Sequence, residues 1–191
     1  MQLEELIRNR RSYRALEPTE ITKELIEETA KLAQLAPSCF NNQPWRYIFV
    51  YERETLTELH RALSKGNEWA KAASMIIVVF SRKDFDCDLK KNDIRYYQFD
   101  TGMATAFMIL RLTELGLVAH PIAGFSADET KTILGIPEDM KVITWVIVGK
   151  KSEAETLPDF FRDHQKKSEK ERPARKELEE FVFFNKYTNT T

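Results

Sequence analysis

YQFDTGMATAFMILRLTELG, residues 97–116, is apolar on nearly every side when wound as a helix, and it closes on a glycine. A helix with no water-facing side belongs in the middle of a fold. Gly102, Ala104 and Ala106 let a neighbouring helix approach it closely. The runs around it say what it packs against. MIIVVF at 75–80, KVITWVIVGK at 141–150 and WRYIFVY at 45–51 are dense in β-branched and aromatic residues, which predicts three buried strands. None of these runs approaches the roughly 18 apolar residues that a membrane span needs.

Amphipathic helices fill the intervals. QLEELIRN at 2–9 sets Leu3, Leu6 and Ile7 on one face, and TKELIEETAKLAQLA at 22–36 does the same with Leu25, Ile26, Thr29, Leu32 and Ala33. ETLTELHRALS at 54–64 reads as helix through Leu56, Leu59 and Leu63, and is interrupted at Lys65-Gly66-Asn67. Past Gly116, HPIAGF is read as a loop, and Ser126 with Glu129 forms a capping box for a short helix that stops at Gly135-Ile136-Pro137. Helices and strands are interspersed without regular alternation, which predicts an α+β sandwich of helices around a modest sheet. At 191 residues one domain, 1–191, is long enough to bury about 70% of its unfolded surface. Residues 150–191 form a charge-rich extension ending in the apolar ELEEFVFF, which should dock on something such as a second subunit.

Charge narrows the function. With 29 basic and 30 acidic residues and a pI near 6.4, the chain has no general field for nucleic acid or an anionic membrane. The start, MQLEELIRNR, lacks the apolar stretch of a signal peptide, so a soluble, cytoplasmic protein is expected. Cys39 and Cys87 make no C-x-x-C pair, and His60, His120 and His164 have no metal-ligand spacing, so neither a zinc site nor a disulfide framework is expected. Asp84, Asp86 and Asp88 imitate a calcium loop, but Leu89 stands where the glycine belongs and Arg95 where the glutamate belongs. Against this balanced background RNRRSYR, residues 8–14, packs four arginines into seven positions. The cluster is either a solvated helix end or a local anion site. A nucleic-acid patch is disfavoured because Tyr13 is its one aromatic and Glu4, Glu5, Glu17 and Glu20 surround it.

Four stretches then occur in a telling order: R-R-S-Y-R at 10–14, A-P-S-C-F-N-N-Q-P-W at 36–45, P-I-A-G-F at 121–125 and R-K-E-L-E-E-F at 175–181. Together they resemble the nitroreductase family of flavin enzymes, over essentially the whole chain. The resemblance implies an α/β/α sandwich with a central mixed or antiparallel sheet, in an intertwined homodimer. It also implies flavin mononucleotide (FMN) at each of two interface sites, NADH or NADPH as co-substrate, and a small-molecule electron acceptor. In that pattern Arg10 and Ser12, with Arg11 beside them, match phosphate ligands, as does Arg175. Arg14 matches a cation near the ribityl chain and pyrimidine edge. Pro37, Ser38, Cys39, Asn41 and Gln43 match a loop that faces the flavin across the dimer interface. Asn67 matches a contact to the ring's polar edge or the ribityl group, and the Ala123 and Gly124 N–H groups match donors near flavin N5 and O4.

Two positions depart from the pattern. A family lysine is Ala70 here, with Lys71 one step later, turned by about 100° on a helix. A second C-terminal basic residue is Pro173, with Arg172 and Lys176 nearby. Cys39 by itself reads as a small buried residue and His120 as a satisfied loop residue. The flavin carries the chemistry in such enzymes, so no catalytic side chain and no metal is expected. The implied reaction is ping-pong transfer of two electrons from NAD(P)H to a nitroaromatic or quinone. Reductive dehalogenation, flavin fragmentation and a low-turnover flavin-binding sensor or storage protein are the alternatives.

Overall fold

Every residue of strand β3 (Met75–Ser81) is buried, and the alternation of its side chains divides the core in two. Met75, Ile77 and Val79 pack with Ala33, Met108 and Leu112, while Ile76, Val78 and Phe80 pack with Leu56, Leu59, Trp69 and Ile136. Two apolar faces require two covering layers, so the chain is an α/β/α sandwich. The computed structural model describes residues 2–87, 89, 94–153, 157 and 167–187.

β3 sits between β2 (Arg46–Val50) and β5 (Lys141–Lys151), antiparallel to both. β5 also pairs antiparallel with β4 (Leu117–Ile122), and beyond the end of its β3 pairing it takes β1 (Leu16–Glu17) at Lys150 and Lys151. The sheet is thus five-stranded and antiparallel throughout, where the sequence suggested three strands. β1 has only two residues, too few to carry a period. β4 includes the His120–Ile122 stretch that was read as loop; among the described residues it pairs only with β5, and an edge strand tolerates Pro121.

The helices are α1 (Leu3–Asn9), α2 (Lys23–Ala33), α3 (Arg53–Leu59), α4 (Tyr96–Glu114) and α5 (Ala127–Leu134). α3 ends sooner than its leucine spacing suggested and passes into a tighter turn, His60–Ala62. α5 is bounded as read: the Ser126 hydroxyl accepts the Glu129 N–H, and Gly135 closes the helix at φ 64°. α4 corrects an expectation. Tyr97, Thr101, Ala104, Met108 and Leu112 form one buried stripe, but Phe99, Gly102, Ala106 and Phe107 are exposed on the other side. One chain covers only half of an all-round apolar helix. α1 likewise buries Leu6 and leaves Leu3 and Ile7 exposed.

Cys39 and Cys87 form a disulfide, with Cα atoms 5.7 Å apart, against the expectation of none. Their 48-residue separation hides what the sheet does: antiparallel pairing of Arg46 with Phe80 brings the loop before β2 beside the segment after β3. The buried Ser81 hydroxyl, which donates to the Pro44 carbonyl at 2.7 Å, stitches the same two segments. Cys39 is therefore a half-buried cross-link and not a small core residue. No helix among the described residues is long and apolar enough to cross a membrane.

β4 is also tied to the N-terminal segment. His120 is buried, stacks on Trp69 with ring centres 4.7 Å apart, and lies 3.0 Å through Nδ1 from the Tyr13 carbonyl. A carbonyl only accepts, so Nδ1 carries the proton. Burial pushes the His120 pKa down to about 4; the Tyr13 hydrogen bond opposes this, and the Arg14 and Arg10 charges add to it. The unfolded chain then binds the proton more readily, so stability should fall as pH drops from about 6.5 towards 4, by on the order of 3 kcal/mol from this group. His120→Asn keeps a donor for Tyr13 and does not titrate. Urea denaturation across that pH window should show a shallower loss for the variant than for the wild type; equal slopes would exclude His120 as the cause.

Candidate functional site

Between α1 and β1 the chain runs without regular structure through residues 10–15. Arg10, Arg11, Ser12 and Arg14 of this run line one cavity of about 800 Å³. Lys167, Arg172 and Arg175 complete it from the far end of the sequence. Reciprocal hydrogen bonds join the two ends. Arg11 donates to the Ser168 and Glu171 carbonyls at 2.6 and 2.8 Å, while Arg172 donates to the Arg8 carbonyl and, at 2.8 Å, to the Arg10 carbonyl. The segment holding residues 167–172 thus lies on its own chain's arginine run.

The cavity is rich in positive charge. Six of its lining residues are lysine or arginine and one, Glu171, is acidic. Burial lowers the Arg10 pKa, and Arg172, Arg175 and Arg11 lower it further, which is the signature of crowded like charges. Burial also lowers that of Arg14, with Glu169 opposing. Arg10 donates to the Ser12 hydroxyl at 3.0 Å, and among the described residues the rest of its fork has no other hydrogen-bond partner. Arg175, which is exposed, turns to the Pro173 and Ala174 carbonyls. Such a cavity is suited to an anion with several acceptor oxygens.

A smaller cavity of about 320 Å³ adjoins through Arg14 and is lined also by Glu68, Trp69 and Lys71. Arg14 stands 5.9 Å over the Trp69 ring. Ala70 is fully buried in the core, whereas Lys71 lines this cavity. Asn67, Ala123 and Gly124 meet on the neighbouring turn. The Asn67 amide donates to the Gly124 carbonyl at 3.1 Å and accepts from the Trp69 indole at 3.2 Å. A Cβ on Gly124 would lie 1.9 Å from Asn67 Nδ2, so any side chain there would push the Asn67 amide off its bonds. Asn67 therefore braces the 123–124 turn with its side chain.

Pro37, Ser38, Cys39, Asn41 and Gln43 line neither of these cavities. Their loop is held under strain: Phe40, Asn41 and Gln43 all have left-handed φ, at 50°, 57° and 47°. What holds it is the disulfide, the Ser38 hydroxyl accepting the Gln43 N–H at 3.1 Å, and the buried Asp100 carboxylate accepting the Cys39 N–H at 2.9 Å. Asp100, Trp69 and Glu169 were not singled out from sequence. Of these Asp100 left a trace, as an acid in an otherwise apolar helix. Among the described residues no group of three or more His, Cys, Asp or Glu is placed to hold a metal ion.

The family model described as "Nitroreductase family" matches residues 7–68 and 56–150, which takes in the arginine run, the strained loop and all of the sheet but Lys151. The chain belongs to the nitroreductase family. A protein of Archaeoglobus fulgidus provisionally named NADH dehydrogenase/NAD(P)H nitroreductase is 32% identical over 148 residues, covering 75% of this chain and 82% of that one. An iodotyrosine deiodinase of Haliscomenobacter hydrossis is 27% identical over 181 residues, covering 81% of each. Among solved structures, an oxidoreductase containing FMN superposes with a TM-score of 0.82 at 28% identity, over 100% of this chain and 95% of that chain. In this nitroreductase-family chain the segment carrying Arg172 and Arg175 lies beyond the residues that the family model matches.

The brace between Asn67 and Gly124 yields a test. Gly124→Ala should destabilise the protein by about 1–3 kcal/mol through overpacking, and Asn67→Ala by about 1–3 kcal/mol by leaving the Trp69 indole unpaired. In the double variant the added methyl meets no amide, so its cost should fall well short of the sum. Additive costs in chemical denaturation would show that the two groups do not meet.

Proposed function

We propose that the chain is an FMN-dependent oxidoreductase, acting as a homodimer, that takes two electrons from NADH or NADPH and passes them to a small electron-poor acceptor such as a nitroaromatic or quinone. The observation that carries this reading is the cation-lined cavity assembled from both chain ends, in which Arg10 is crowded by Arg11, Arg172 and Arg175. A phosphate monoester carries nearly two negative charges and three acceptor oxygens, which suits guanidinium forks. Membership in the family and the likeness to an FMN-containing oxidoreductase support the same cofactor.

The roles follow from position. Arg10, Ser12 and Arg175 would hold the phosphate, with Arg11 and Arg172 keeping the two walls together. Arg14, shared by both cavities, and Lys71 would set positive charge near the ring's pyrimidine edge, where a fixed cation favours a developing anion. The Ala123 and Gly124 N–H groups would face the reactive side of the ring. His120 is neutral near pH 7 and has its ring proton engaged by Tyr13, so it is no proton source for the reaction. When bound, FMN supplies the hydride and electron chemistry, and the protein's part is binding, orientation and exclusion of water.

The homodimer accounts for surfaces that one chain leaves open. Phe99 and Phe107 on α4, Phe40 on the strained loop, and Leu178, Phe181 and Phe184 near the C-terminus are all exposed. The loop of residues 37–43, which lines neither of the two cavities described, would complete the partner's site, and the apolar end of the 150–191 extension would cover the partner's surface. The likeness to an iodotyrosine deiodinase supports a second reading, reductive dehalogenation on the same cofactor. Analysis of products from halogenated and nitro substrates separates the two.

Purified protein should be yellow, release FMN on denaturation and lose its visible absorbance under anaerobic NADH or NADPH, with recovery on adding a quinone. Arg10→Ala and Arg175→Ala should each weaken FMN binding by about 1.5–3 kcal/mol, as measured by fluorescence titration. A colourless protein that takes up no FMN overturns the reading.

A further inference from the structure

Glu169, on the helical turn 167–170, is 5% exposed, and its Oε1 accepts the Arg14 backbone N–H at 3.0 Å across 155 residues of sequence. Its Oε2 is buried with no hydrogen-bond partner among the described residues. Burial pushes the carboxyl pKa up, while the Arg14 and Ala15 backbone N–H groups and the Arg14 and Lys151 charges pull it back. Burying a carboxylate here is costly, and its negative charge beside the cation-lined cavity opposes the binding of an anion. A site selected for charge alone would do better without it.

The bonds that Glu169 makes show what it contributes. Residues 10–15 belong to no helix or strand, so their conformation is imposed by contacts from elsewhere. Arg172 holds the Arg8 and Arg10 carbonyls, His120 holds the Tyr13 carbonyl, and Glu169 holds the next N–H, that of Arg14. The last of these fixes the residue shared by both cavities.

We propose that Glu169 is a positioning residue for the cofactor site: from the C-terminal segment it grips the Arg14 backbone and holds residues 10–14 in the conformation that gathers their side chains around one anion. The inference rests on the FMN reading for its consequence and on Glu169 geometry for its cause. It assigns the buried carboxylate a hydrogen-bonding task that a neutral isostere can also perform.

Two variants of the full-length chain test this. Glu169→Gln keeps an acceptor oxygen for the Arg14 N–H and removes the charge, whereas Glu169→Ala removes both; Glu169→Met serves if the alanine variant does not fold. Hydrogen exchange at the Arg14 amide, measured without cofactor, should quicken by roughly tenfold or more in Glu169→Ala and stay within about threefold of wild type in Glu169→Gln. FMN affinity by titration calorimetry should fall by roughly tenfold or more in Glu169→Ala and be equal to wild type or tighter in Glu169→Gln. If the wild type takes up no FMN, the cofactor reading fails, and the exchange arm still decides the positioning role. Unchanged Arg14 exchange in Glu169→Ala overturns the proposal, as does a glutamine variant that matches alanine in either measurement.

Discussion

Guanidinium groups from opposite ends of the chain share one cavity, and the rest of the site depends on what keeps them there. Two unit charges about 6 Å apart repel by roughly 3 kcal/mol at an effective dielectric constant near 20. Hydrogen bonds from charged donors each return about 1.5–3 kcal/mol. The reciprocal bonds of Arg11 and Arg172 to backbone carbonyls are of the size needed to offset that repulsion. A bound dianion adds an attraction to each guanidinium that outweighs these repulsions, so on the proposed reading the cofactor's phosphate is part of what closes the N- and C-terminal segments together.

The sheet contributes rigidity on one side of this arrangement. β5 supports β4 along its length and β1 at its end, so the turn carrying Ala123 and Gly124 and the arginine run leading into Leu16 join strands that both pair with β5. The Trp69–His120 stack lies between them, bonded to Tyr13 on one side and to Asn67 on the other. A rigid support with a mobile charge on top would be a poor anion site. Here the backbone of residues 8–14 is gripped at several carbonyls and at the Arg14 N–H.

Much of this was legible in the sequence, for identifiable reasons. β3 and β5 announce themselves because buried strands are continuous apolar runs, β2 by its β-branched and aromatic residues although only Val50 of it is buried, and α5 because a serine cap and a left-handed glycine bracket it. The arginine run was legible as an anomaly of local charge. What stayed hidden depends on pairing between distant residues. β1 is too short to show a pattern, and Cys39 meets Cys87 only through the β2–β3 register. Glu169 is one acid among many in a charge-rich segment, distinguished only by burial. The exposed half of α4 was unreadable for another reason: an apolar residue looks the same whether its own chain or a second one covers it. Asn67 was read as a cofactor contact because its position fits, and its amide turns out to be engaged by Gly124 and Trp69.

The most direct measurement compares FMN with riboflavin, which differ only in the phosphate, by titration of the apoprotein under one salt condition. FMN should bind at least about a hundredfold more tightly, since two or more charge-assisted contacts depend on that group. Equal affinities for the two flavins would mean that the converging arginines do not hold a phosphate.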